Sequence, residues 1–179
     1  GNAGPAATTA NYAVETLAPT ISSVTAGWGT SLNATEDDSA GTVTVVTSGA
    51  ENGQTVTVSL NGTNYTGTVS DNSTSVTVAA SGLQALTDGS SYTLTTNVSD
   101  AAGNAATENT GTSFTYDITS PTLAETTVVP SLTNDNSTQY TFSSTEGGTI
   151  SIGGSCSNSS DNNTAVADNM TVSFAALAD

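Results

Sequence analysis

A chain whose apolar residues fall on every second position can bury them together only as strands. Three stretches show the pattern: "GTVTVVTS" (Gly41–Ser48), "QTVTVSL" (Gln54–Leu60) and "TSVTVAA" (Thr74–Ala80). Residues i and i+2 share one face of a strand, whereas a helix would scatter them around its axis. "TNYTGTV" (Thr63–Val69), "SSYTLTTNV" (Ser90–Val98) and "TGTSFTYDI" (Thr110–Ile118) add further runs, the last placing Phe114, Tyr116 and Ile118 on one face. The clusters "AENG", "SDNS", "LTDG" and "DAAGN" separate the runs, and Asn61-Gly62 is a two-residue hairpin signal. Only "SGLQALTD" has room for a helical turn. Short strands at a spacing of roughly eight to twelve residues predict an all-β sandwich. The expected domain is a seven-stranded Greek key without a long helix. Its expected core is Val43, Val45, Val56, Val58, Val76, Val78, Tyr92, Leu94 and Phe114.

The stretch "LTDGSSY" (Leu86–Tyr92) sharpens the expectation. Leu86, then the Asp88-Gly89 turn, then Tyr92 just inside a strand is the pattern of a tyrosine corner. There the phenol bonds back to the backbone in immunoglobulin-like sandwiches. The plainer alternative is a half-buried strand aromatic.

Composition removes whole classes of function. Lys, Arg and His are absent, and 16 Asp and Glu leave a net charge of −16. Nucleic-acid binding needs cations against phosphate, and an anionic membrane surface would repel the chain. Nucleophile–His arrangements lack their base. A carboxylate pair acting on a glycoside would want sugar-stacking aromatics, and these are only 5% of the chain, so no enzyme is expected. No charged segment followed by an apolar run marks a signal peptide, and no run of about 18 apolar residues spans a membrane. The expectation is a mature segment or an excerpt.

The chain also repeats itself. Shifted by 102 positions, Gly1–Thr20 falls on Gly103–Thr122 without a gap: Asn2 on Asn104, Tyr12 on Phe114, Glu15 on Asp117, Pro19 on Pro121. "VSFAALAD" (Val172–Asp179) likewise matches the approach to the corner from Val76 to Asp88. Such self-similarity is the signature of a tandem array.

At these residues a resemblance becomes specific. "SLNATEDDSAGTVTV", "GQTVTVSLNG", "GLQALTDGSSYTLTTNVSDAAGN" and the closing "DITSPT" resemble the bacterial immunoglobulin-like repeats of giant cell-surface adhesins. The likeness is close over Ala18–Thr122. "TQYTFSSTEGGTISIGGSC" and "NMTVSFAALAD" look like a sister subtype. The chain departs from that family in lacking every basic residue. The resemblance implies tandem immunoglobulin-like Greek-key sandwiches on a bacterial cell surface. Residues 1–20 would be the final strand of a preceding repeat, 21–120 a complete repeat, and 121–179 the first part of the next. It also implies that Cys156, the one cysteine, pairs with a cysteine beyond Asp179.

Calcium is the cofactor that the acidic turns would take, through carboxylate, amide and carbonyl oxygens. The candidate ligands are Glu36, Asp37 and Asp38 in one loop, Asp100 and Asn104 in "DAAGN", and Asp117 with its repeat counterpart Glu15 at the junctions. Solvated turn residues are the alternative, since Asp and Asn favour turns anyway. Trp28 reads as a core plug or an edge cover rather than a sugar platform. Three functions remain. The first is a structural repeat of an adhesin or stalk, acting by length and stiffness beside neighbouring repeats. The second is a filament subunit in which identical chains donate strands to one another. The third is a ligand-binding module of an adhesin.

Overall fold

The structure, a computed structural model, describes residues 12–128, 132, 134–153, 164–165 and 167–175. The chain divides into two compact units, Gly1–Thr119 and Ser120–Asp179.

In the first unit the strands are β1 (Thr20–Ala26), β2 (Ser31–Leu32), β3 (Gly41–Ser48), β4 (Thr55–Leu60), β5 (Thr63–Thr68), β6 (Ser73–Val78), β7 (Ser91–Val98) and β8 (Asn109–Tyr116). One turn of helix, α1 (Ala80–Leu83), lies in the stretch with room for it. The strands form two sheets, ordered β1-β3-β6 and β2-β8-β7-β4-β5. All pairs are antiparallel except β2 with β8, where Ser31 faces Thr115 and Leu32 faces Tyr116 in parallel. The edge strand thus begins in one sheet as β1 and, after the turn at Gly27–Thr30, continues in the other as β2. Because β3 pairs with β6 across the sandwich from β4 and β5, the connection is a Greek key. This is an immunoglobulin-like sandwich, with its first strand split between the sheets.

Turn chemistry fixes the register. Asn61 and Gly62 both have positive φ, 48° and 78°, as a two-residue hairpin loop requires, and they set Leu60 opposite Thr63. Asp71 and Asn72, at 50° and 63°, do the same between Ser70 and Ser73. Alternation then carries the expected Val residues inward: Val43, Val45, Val56, Val58, Val76 and Val78 have no exposed surface. Leu94 and Phe114 join them, and Tyr92 packs half-buried against the cluster. Trp28 closes one end, edge-on to Phe114 at 5.3 Å and 72°. Ile118 departs from the expectation: it is 42% exposed, because β8 ends at Tyr116.

The second unit has a sheet ordered β9-β10-β13, from β9 (Leu123–Thr127), β10 (Gln139–Ser144) and β13 (Asp168–Ser173), and a short pair of β11 (Gly148–Thr149) with β12 (Thr164–Ala165). Phe142 and Val172 are buried on one face of the sheet. With Leu123, Tyr140, Ile150 and Phe174 they line an apolar groove of about 240 Å³.

Among the described residues no helix is long and apolar enough to cross a membrane.

Candidate functional site

The chemistry-bearing residues of the first unit gather at its two ends. At one end, Gly89 takes the positive φ of 72° that the Asp-Gly turn needs, and β7 then rises with Tyr92 pointing back over the turn. The Thr87 backbone N–H donates to the Tyr92 hydroxyl oxygen at 2.7 Å, which is the tyrosine corner. Accepting that bond favours the phenolate and lowers the Tyr92 pKa below its ordinary value. Leu86 sits buried beneath the turn. Asp88 has a further task. Its carboxylate accepts the Thr119 hydroxyl at 2.6 Å and the Ile118 backbone N–H at 2.9 Å. These bonds, the Thr119 hydroxyl first, hold its pKa below the ordinary carboxylate value. Ladder bonds from Gly89 N–H to Tyr116 O and from Tyr116 N–H to Ser90 O complete the join.

Deeper at the same end lies a pair that the sequence reading did not foresee. The Tyr116 hydroxyl donates to Asp37 Oδ2 at 2.6 Å, and both side chains are buried. The bond to Asp37, burial and the carboxylate's negative charge push the Tyr116 pKa up to about 12. Asp37 therefore points inward, away from its neighbours. Glu36 Oε2 accepts the Asn33 N–H at 3.1 Å, and Asp38 Oδ1 accepts Gln84 Nε2–H at 3.4 Å. The three acids of "ATEDDS" share a loop but each turns to a different partner.

At the opposite end Asp100, buried in the β7–β8 turn, accepts the Asn104 backbone N–H on Oδ1 at 2.7 Å and the Asn104 amide on Oδ2 at 2.8 Å. The amide bond is the main reason its pKa lies below the ordinary value. The same amide nitrogen reaches the Glu15 carbonyl oxygen at 3.3 Å, and Glu51 Oε2 accepts the Ala101 N–H at 2.9 Å. Asp100, Asn104 and the backbone of Glu15 are thus brought together. Asp117 stands at the other end, closing a turn on the Thr119 N–H at 3.1 Å. Among the described residues no three His, Cys, Asp or Glu side chains converge as a metal group would need. Calcium takes about six to eight oxygens; of the candidate oxygens, those of Asp100, Asn104 and the Glu15 carbonyl come together, whereas Glu36, Asp37, Asp38 and Asp117 turn to separate partners. Cys156 lies outside the described residues.

No protein-family model and no curated protein matches the chain. Solved structures do. A structure bearing on host cell-surface retention of a 1.5-MDa bacterial ice-binding adhesin is 35% identical over 54% of this chain and 32% of its own, with a TM-score of 0.40. A single bacterial immunoglobulin-like domain from the M. primoryensis ice-binding adhesin is 35% identical over 54% of this chain and 96% of its own, with a TM-score of 0.38. A Ca²⁺-stabilized adhesin that helps an Antarctic bacterium reach out and bind ice is 26% identical over 89% of this chain and 42% of its own, with a TM-score of 0.43. The chain spans about a third of the first of these and under half of the third.

Proposed function

For a chain that belongs, by identity and by its own strand topology, with the bacterial immunoglobulin-like domains, we propose a structural, non-catalytic repeat of a bacterial cell-surface adhesin or stalk. It acts outside the cell, by length and stiffness. The observation that carries this reading is the repeat at a spacing of 102 residues, which puts the same Pro-Thr pair at the entry to β1 (Pro19-Thr20) and just before β9 (Pro121-Thr122). On this reading residues 1–20 are the final strand of a preceding repeat, 21–120 one whole repeat, and 121–179 the first part of the next. Exposure supports the first assignment. Tyr12 and Val14 are 88% and 77% exposed, while their counterparts Phe114 and Tyr116 are each 2% exposed in the core. In the structure residues 12–19 form no strand; on this reading they would complete a strand against a neighbouring repeat, whose sandwich face would cover Tyr12 and Val14.

The test is made on the source cell. An antibody raised to the first unit is expected to label intact, unpermeabilised bacteria and to detect a product far larger than 17.6 kDa. A discrete product of that mass would overturn the array, and labelling only after lysis would overturn the location.

A further inference from the structure

Three times in the first unit a glycine directly follows an asparagine or an aspartate: Asn52-Gly53, Asn61-Gly62 and Asp88-Gly89. All six residues are exposed, and the three glycines take positive φ, at 96°, 78° and 72°. Exposure does not distinguish the pairs, but hydrogen bonding does. The Gly53 N–H donates to the Val69 carbonyl at 2.9 Å, and the Gly89 N–H donates to the Tyr116 carbonyl at 2.8 Å. Asn52 is held at its side chain as well. Its Nδ2–H donates to Asp71 Oδ1 at 3.3 Å, and its Oδ1 accepts the Asp71 N–H at 2.7 Å. The Asp88 carboxylate is held by Thr119 and Ile118. Asn61 and Gly62 instead form the tip of the β4–β5 hairpin. Among the described residues neither the Asn61 amide nor the Gly62 N–H has a partner. The Leu60–Thr63 pair clasps the tip, and β5 is the edge strand of its sheet.

We propose that Asn61 is a spontaneous modification site, converting in water to aspartyl and isoaspartyl forms, while the fold protects Asn52 and Asp88 from the same chemistry. The Gly62 backbone nitrogen attacks Asn61 Cγ and gives up its proton. The Cγ–Nδ2 bond breaks, and ammonia leaves with that proton. Glycine has no Cβ to crowd the attack. Water then adds to one of the two carbonyl carbons of the five-membered imide, and the ring C–N bond at that carbon breaks. Opening at the main-chain carbonyl leaves the chain running through the former side chain, which is the isoaspartyl form. The aspartyl form keeps the hairpin, because aspartate tolerates the left-handed backbone that Asn61 holds at φ 48°. The isoaspartyl form adds a methylene to the main chain of a two-residue loop that sets register. The Leu60–Thr63 pairing then fails at the sheet edge, beside Tyr65, which packs against the core. Either product adds a negative charge to a chain that carries −16. The site rests on the hairpin and is independent of the chain's place in an adhesin.

The experiment ages the whole 179-residue chain in mildly alkaline buffer, folded and in urea. Cleavage after Glu51 and Glu108 releases residues 52–108, which carry both asparagine–glycine pairs, and fragment masses place each conversion. In the folded chain Asn61 is expected to convert at least about tenfold faster than Asn52, roughly the factor imposed by one hydrogen bond that must open first. In urea the two are expected to convert at similar rates, because only the fold separates them. Asn61→Asp is expected to keep the parent's urea midpoint, read by Trp28 fluorescence. The isoaspartyl fraction of the aged chain, identified by methyl transfer from S-adenosylmethionine with an isoaspartyl methyltransferase, is expected to unfold at a lower one. Equal rates for Asn52 and Asn61 in the folded chain would overturn the proposal. So would a folded Asn61 that stays intact while the chain in urea converts. An isoaspartyl fraction with the parent's midpoint would overturn the loss of register.

Discussion

Phe114 and Tyr12 occupy the same place in the repeat, and the structure gives them opposite weights. Phe114 is 2% exposed, edge-on to Trp28 and tilted against Tyr92 at a centroid separation of 6.0 Å. Phe114→Ala removes the ring from a filled core and leaves a cavity, which costs about 3–5 kcal/mol. The two ring pairs account for roughly 0.5–1.5 kcal/mol each within that total. Tyr12 is 88% exposed, so Tyr12→Ala is expected to change stability by less than about 0.5 kcal/mol. Urea unfolding followed by Trp28 fluorescence reads the first unit alone, since Trp28 is the chain's one tryptophan. With a slope of about 1.5 kcal/mol/M, a loss of about 4 kcal/mol lowers the midpoint by roughly 2–3 M. If the alanine variant does not fold, Phe114→Leu keeps most of the volume and is expected to cost about 1–2 kcal/mol through lost ring pairing. A Tyr12→Ala shift as large as that of Phe114→Ala, or a Phe114→Ala cost under about 1 kcal/mol, would refute the argument that burial rather than repeat position decides.

Tyr116→Phe deletes the donor to buried Asp37 and is expected to cost about 1–3 kcal/mol, with Asp37→Asn recovering part of the loss in the double variant. In the parent, absorbance titration should show one tyrosine ionising near 12. Because that pKa is raised from 10.0, its stabilisation is complete below pH 10 and lost as pH rises through about 12; a chain with no late-titrating phenol would contradict the pair. Gly41→Ala would place a methyl 2.5 Å and 2.8 Å from the Trp28 ring, so it is expected to destabilise by about 1–3 kcal/mol and shift the Trp28 emission; unchanged emission and stability would count against the packing described. Added NaCl is expected to raise the melting temperature steadily toward about 0.1–0.5 M by screening repulsion among the acids. Millimolar CaCl₂ should do no more than NaCl at matched ionic strength, and a larger calcium effect reversed by chelator would reveal an ion site that the described residues do not assemble.

The sandwich was legible because its signals are local. Alternation in "TVTV" fixes which face is buried, and Asn61-Gly62 fixes a register, so the eight inward Val, Leu and Phe positions followed. The tyrosine corner was legible for the same reason, since Leu86, Asp88, Gly89 and Tyr92 lie within one turn. What stayed hidden depends on long-range pairing. Tyr116 and Asp37 are 79 residues apart, and Asp88 and Thr119 are 31 apart. Neither partner carries a sequence mark, because a threonine at a strand exit looks like any surface threonine. Ile118 misled for a related reason: alternation continued on paper, while Asp88 took its N–H and β8 stopped at Tyr116.

These pairings also explain how a chain without Lys, Arg or His seats its carboxylates. Each acid that the fold uses is met by a neutral donor: Asp37 by a phenol, Asp88 by a hydroxyl and an amide N–H, Asp100 by the Asn104 backbone and side chain, Asp38 by Gln84, Glu51 by the Ala101 N–H. A short hydrogen bond to a carboxylate is a charge-assisted one, held by fixed geometry in a way that a typical exposed ion pair is not. Its strength lies in a short contact distance, so salt screens it far less than it screens repulsion between separated surface acids. Asn, Gln, Thr and Tyr therefore do here what Lys and Arg do elsewhere. The arrangement leaves no attraction between side-chain ion pairs for salt to weaken, only repulsion for it to relieve.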